Sequence, residues 1–180
     1  MRPVASWRLQ AKASMPEPRR LYWINQFADG NLAIMPAPRL DEQLEATLLA
    51  WKDEGADVIV SLLEPQEVPD LTAAEQALCD EFGIEFISFP IRDKTVPDRA
   101  LEFSSIARQL ADRVSAGRSV AIHCRAGIGR STVLAACTLI LLGVDGAVAL
   151  DMIAAARGIE VPETEAQRQW VLSFPQPIGA

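Results

Sequence analysis

The feature that most narrows the fold is a repeated exchange between short β-branched runs and longer segments with helical apolar spacing. Val58-Ile59-Val60-Ser61-Leu62 is such a run and reads as a buried strand. Before it, Leu44, Leu48 and Trp51 fall on one helical face, with Asp41 as candidate N-cap and Gly55 as the stop. A second helix carries Leu71, Ala74, Leu78 and Phe82 and stops at Gly83, and residues 84–91 alternate into another strand. A third helix, with Phe103, Ile106, Leu110 and Val114 on one stripe, starts near Pro97-Asp98 and stops at Gly117. Residues 119–123 read as a central strand, followed by a helix over 130–142 that is apolar all round. Two more helices surround Ala149-Met152-Ile153-Ala156 and Ala166-Trp170-Phe174. Leu21 to Ile24 and Leu32 to Met35 make short strands about the turn signal Ala28-Asp29-Gly30-Asn31. This alternation predicts an α/β fold, a mostly parallel central sheet with helices on both faces.

The 180 residues suffice for one domain with a real core and are too few for two ordinary ones. A net charge of −7 leaves no basic face to dominate, which argues against a nucleic-acid partner. Three cysteines, an odd number at irregular spacing, form no disulfide framework and point to a reducing compartment, hence a cytoplasmic location. The most apolar stretch, Val133 to Val144, has only the length of a buried helix and ends at Asp145, so no membrane partner is expected. Residues 1–20 hold Arg2, Arg8, Lys12, Arg19 and Arg20 against the single acid Glu17. They read as a flexible basic tail ahead of a domain over 21–175. An organelle transit segment is the alternative, and the missing apolar h-region disfavours secretion.

The chemistry concentrates at His123-Cys124-Arg125-Ala126-Gly127-Ile128-Gly129-Arg130-Ser131, which contains the chain's one histidine. In an open α/β sheet, ligands bind at the carboxyl ends of strands, where the next helix points its N-terminus. Orphan N–H groups and the positive end of the helix dipole make that position an anion site. Gly127 and Gly129 allow positive φ and close backbone approach, so residues 125–130 can encircle one tetrahedral phosphate. The same field favours the Cys124 thiolate, a nucleophile. Arg130 supplies a fork for two phosphate oxygens, which a lysine would not. Ser131 is placed to hydrogen-bond the sulfur and support it as a leaving group. His123 points the other way along the strand and is expected to hydrogen-bond loop backbone.

His-Cys, five residues, then Arg-Ser, around Ala-Gly-Ile-Gly, resembles the signature of the cysteine-dependent protein tyrosine phosphatases, in particular their small dual-specificity-like branch. The resemblance covers roughly residues 20 to 175 as an order of elements. It implies a phosphatase-like fold and a phosphomonoester hydrolase, acting on tyrosine or with dual specificity through a phosphocysteine. It also implies a cradle formed by Arg125, Ala126, Gly127, Ile128, Gly129 and Arg130. Two rival readings use the same loop: a non-catalytic phospho-residue binding module, which would need neither thiol nor acid, and a sulfurtransferase-like enzyme. A zinc site needs about four ligands. One histidine and three scattered cysteines do not supply them, so no metal or other cofactor is expected.

Phosphate transfer to sulfur expels an alkoxide or phenoxide, which needs a proton from a carboxylic acid. Phe89-Pro90-Ile91-Arg92-Asp93-Lys94-Thr95-Val96-Pro97-Asp98 resembles the family's general-acid loop, in which the acid follows a Pro-Ile pair by two positions; this points to Asp93. Asp98 reads as an N-cap or first-turn acid of the following helix. Val161-Pro162-Glu163-Thr164-Glu165-Ala166-Gln167 resembles the family's late loop and helix, which makes Gln167 the candidate for positioning the hydrolytic water. Cys79, Cys137, Trp51 and Trp170 read as core. Arg125 is the single base among the five variable loop positions, and Ile128 offers an apolar rim to an aromatic ring. The expected partner is therefore a phosphorylated protein or peptide, phosphotyrosine favoured over phosphothreonine and phosphoinositide.

Overall fold

Strand β5 (Val120–Cys124) is the centre of the molecule, with all five residues buried. It lies between β2 (Asn31–Pro36) and β3 (Val58–Ser61), parallel to both, and β4 (Glu85–Ser88) extends the sheet beyond β3. Strand β1 (Tyr22–Gln26) closes the other edge antiparallel to β2, giving the order β1-β2-β5-β3-β4. This is a computed structural model that describes residues 20–26 and 30–175. The expected basic tail, apart from Arg20, and the Ala28-Asp29 turn lie outside the described residues.

Among the described residues, six helices cover the sheet: α1 (Leu44–Asp53), α2 (Leu71–Phe82), α3 (Ala100–Ser115), α4 (Arg130–Leu141), α5 (Gly146–Arg157) and α6 (Glu165–Leu172). Strand periodicity of two splits the core into two layers. Ala33, Met35, Ile59 and Ala121 face α1 and α2, together with Leu48, Trp51 and Leu71. Leu32, Ile34, Val58, Val60, Val120 and Ile122 face α3 to α6. Helix α4 runs through this second layer with every residue from Arg130 to Ile140 buried, which is why its sequence shows no polar stripe. The expected α/β domain, a mostly parallel sheet with helices on both faces, is the fold observed.

Trp51 is fully buried, and Trp170 packs edge-on against Phe103 at 6.1 Å between ring centroids. Phe89 and Phe174 sit on the same Phe103 ring at 6.3 Å each, anchoring the segment after β4 and the end of α6. Cys79 and Cys137 are free and buried, as expected of core residues. Burial pushes the Cys79 thiol up to about 12, with Glu75 and Asp80 adding to the shift, and burial raises Cys137 as well.

Three local expectations are corrected. Helix α1 begins at Leu44, and Asp41 instead closes a preceding turn by accepting from Gln43 N at 2.9 Å. The strand expected over 84–91 spans only Glu85–Ser88. Beyond it the chain crosses the sheet end, where Phe89 N donates to Ser61 O and Ile91 N to Leu62 O. Helix α3 begins at Ala100 with Arg99 at its N-cap, so Asp98 is neither cap nor first-turn residue; its side chain is 94% exposed. Among the described residues, no helix is long and apolar enough to cross a membrane.

Candidate active site

The signature segment folds as the end of β5, a five-residue loop and the start of α4. Its carbonyls are engaged from outside the loop. Ala37 N donates to Cys124 O at 2.8 Å, Arg157 Nη2 and Nε donate to Ala126 O and Gly127 O at 3.3 and 3.1 Å, and Thr132 Oγ1 donates to Ile128 O at 2.6 Å. With these carbonyls engaged elsewhere, the loop N–H groups remain the donors available to an anion, as an anion-binding nest requires. Gly127 makes the curvature possible: its φ is +68°, and a Cβ there would lie 2.5 Å from the Met35 carbonyl carbon. Gly129 does not take the positive φ expected of it, with φ −92°; its need is for space, since a Cβ there would lie 3.0 Å from both Nε2 and Oε1 of Gln167. Arg157 is itself held by stacking over the Tyr22 ring at 4.2 Å.

Cys124 and Arg130 meet at the floor of a pocket of about 270 Å³, whose walls include Asp93, Lys94, Arg125 and Glu163. Cys124 is only 3% exposed, and its Sγ lies 3.4 Å from Ser131 Oγ. Asp93 comes from the segment after β4, and its Oδ1 is 2.8 Å from Arg130 Nη2. Two segments distant in sequence thus bring Asp93 together with Cys124, Arg130 and Ser131, and Arg125, Ala126 and Gly129 line the same pocket.

Arg130 is the most densely bonded side chain of the site. Its Nη1 donates to Ile91 O at 2.9 Å and to Glu67 Oε2 at 2.5 Å, and its Nη2 donates to Glu67 Oε1 at 2.9 Å. Burial works against its charge. The Glu67 hydrogen bond and the negative charges of Cys124, Glu67 and Asp93 outweigh that and raise its pKa. Burial also works against ionised Glu67. The hydrogen bond from Arg130, the Glu64 N–H at 2.9 Å and the charges of Arg130 and Arg125 prevail, holding the carboxyl below its ordinary 4.5. Among the described residues, the buried Arg130 Nε has no hydrogen-bond partner.

Gln167 is fully buried beside Gly129, with both ends of its amide engaged. Oε1 accepts from Thr164 N at 3.2 Å in a capping box at the start of α6, and Nε2 donates to Thr95 O at 3.1 Å. The residue expected to position water therefore also ties the Asp93 segment to α6. A second tie, 3.5 Å between Lys94 Nζ and Glu163 Oε1, crosses the pocket mouth. Lys94 has φ +57°, in the left-handed region, so the turn carrying Asp93 is held against backbone strain.

The expectation for His123 is corrected. Its ring points to the opposite face of the sheet from Cys124, where Nε2 lies 3.0 Å from Glu75 Oε1, both side chains fully buried. Strand alternation dictates this, since successive residues face opposite layers. Glu67, Glu75, Arg157 and Glu163 escaped the sequence reading, because each acts through a contact to a residue far along the chain.

No curated protein matches the chain. Among solved structures, kinase associated phosphatase, with its catalytic-site cysteine replaced by serine, superposes with a TM-score of 0.72 at 24% identity, covering 89% of this chain and 96% of that one. Tk-PTP in its active form gives 0.66 at 26% identity, covering 89% and 97%. PTPMT1 in complex with PI(5)P gives 0.65 at 18% identity, covering 84% and 91%, a likeness of fold alone. The family described as the DSP-PTPase phosphatase of polymorphic toxin systems matches residues 33–144, which hold β5, the whole signature loop and Asp93. With more than half of its length matched by that family, and with the fold of these neighbours, the chain belongs to the DSP-PTPase phosphatases.

Proposed function

We propose that the protein hydrolyses phosphorylated tyrosine, and to a lesser extent phosphorylated threonine, in proteins or peptides through a phosphocysteine. The observation that carries this reading is the convergence of Cys124, Arg130 and Asp93 in one pocket. In the first step Cys124 Sγ attacks phosphorus in line with the ester oxygen, forming the S–P bond as the O–P bond breaks. Asp93 transfers its proton to the departing oxygen. In the second step water attacks phosphorus, giving its proton to Asp93, and the S–P bond breaks to return the thiolate and release phosphate. Ser131 hydrogen-bonds the sulfur and eases its departure. Loop N–H groups and the Arg130 guanidinium, with its free Nε, stabilise the equatorial oxygens in both steps. Gln167, adjoining Gly129, positions the attacking water through the hydrogen-bonding capacity its two ties leave over.

The test is phosphate release from a phosphotyrosine peptide by the wild type and Cys124→Ser. The wild type should turn over and the variant should bind without turnover. Hydrolysis by Cys124→Ser would refute the nucleophile. Binding without hydrolysis by the wild type would favour a phospho-residue binding module.

A further inference from the structure

Beside the phosphate pocket lies a second depression, an open groove of about 660 Å³. Glu163 belongs to the walls of both, so the two adjoin. Ile128, Ile159 and Val161 give the groove an apolar bed, and Ile159 is 43% exposed. Its charges are Glu160, Glu163 and Glu165 against Arg168, three acids to one base, a formal −2. The helix dipole accounts for Glu165 in the first turn of α6, but Glu160 lies between α5 and α6, where no helix end favours an acid. The pocket next door has the opposite balance, with Lys94, Arg125 and Arg130 against Asp93 and Glu163.

Resting on the phosphatase reading, we infer that this groove selects phosphopeptides carrying lysine or arginine next to the phosphorylated residue. The phosphate enters the cradle while the neighbouring cationic head meets Glu160 and Glu165. Its aliphatic stem lies along Ile128 and Ile159, the usual disposition of an amphipathic side chain on an apolar bed. A phosphoinositide in an anionic membrane would bring negative charge against the same wall, so the groove favours a protein segment over a lipid surface.

The experiment compares phosphotyrosine peptides alike except for lysine, alanine or glutamate on both sides of the phosphotyrosine, with phosphoinositide vesicles as a further arm. Exposed ion pairs of this kind are each worth a few-fold, so lysine should exceed alanine by roughly fivefold in kcat/KM, carried by KM, and the advantage should shrink in high salt. Glu160→Lys combined with Glu165→Gln should abolish the preference and leave hydrolysis of nitrophenyl phosphate, which is too small to reach the groove, unchanged. Equal rates on lysine and glutamate peptides would overturn the inference, as would a preference that survives the double variant or vesicles outperforming the lysine peptide. If nothing is hydrolysed, the phosphatase reading fails by itself. Fluorescence anisotropy of the same peptides on the wild type then decides the groove: tighter binding of the lysine peptide supports it, and equal binding overturns it.

Discussion

Glu67→Gln is the substitution that most directly probes how the guanidinium of Arg130 is held. Glu67 and Arg130 share two charge-assisted bonds, 2.5 and 2.9 Å, between side chains only 9% and 1% exposed. Glutamine keeps one acceptor oxygen and turns an NH₂ group toward the other guanidinium N–H. Stripping a buried charge of its partner costs about 3–5 kcal/mol when nothing replaces it. Here Arg130 retains Ile91 O and Asp93, and glutamine retains one bond, so the expected loss is about 2 kcal/mol, or roughly 4–8 °C in Tm for a chain of this size. A looser fork should also lower kcat/KM for nitrophenyl phosphate by roughly tenfold or more, since small displacements of a positioned group are costly. The pH dependence gives the sign. Glu67 has a folded pKa below its ordinary 4.5, so the unfolded chain binds more protons in that window and stability rises with pH there. The wild-type advantage should be complete above pH 4.5 and fade as the pH falls through the lowered value. Thermal unfolding and steady-state rates across pH make the assay. An unchanged Tm and kcat/KM at neutral pH, or a Tm difference that does not shrink in acid, would refute the reasoning.

Other substitutions separate the remaining roles. Arg130→Lys should reduce both binding and turnover despite equal charge, because an ammonium spans neither the two Glu67 oxygens nor two phosphate oxygens; near-normal kcat/KM would exclude bidentate recognition. Asp93→Asn should slow hydrolysis by roughly a hundredfold or more for esters of poor leaving groups and far less for nitrophenyl phosphate. Asp98→Asn, altering a side chain that is 94% exposed, should do neither. The reverse pattern would move the acid role to Asp98.

What could be read from the sequence was what repeats locally. Apolar spacing located the six helices, and a β-branched run, an alternating stretch and a turn signal located strands, because each signal is local. The loop was legible for the same reason: strand, nucleophile, glycines and arginine are contiguous. The strand order was not, since nothing in Val58–Ser61 says that Val120–Cys124 will lie between it and Asn31–Pro36. Glu67 was invisible because its role exists only through Arg130, 63 residues on. The true partner of His123 was hidden likewise, in a helix that ends before β4 begins. Asp41 and Asp98 were misplaced by a few residues because acids near helix starts also serve turns and solvent, and composition does not distinguish these.

The buried pair of His123 and Glu75 bears on how the central strand finds its alignment. Parallel strands have no tight turn to set their pairing. Val120, Ala121 and Ile122 are all apolar, so their side chains would tolerate either face of the sheet. A slip of one residue exchanges the faces. Ile122 or Cys124 would then confront Glu75, and the imidazole would sit among Ile34, Val60 and Leu134 of the opposite layer. A carboxylate buried without a counterpart costs several kcal/mol. That penalty falls on the misaligned chain, so a polar pair within an apolar layer acts as an alignment key. The one pairing that seats His123 against Glu75 is also the one that turns Cys124 toward the base of its loop.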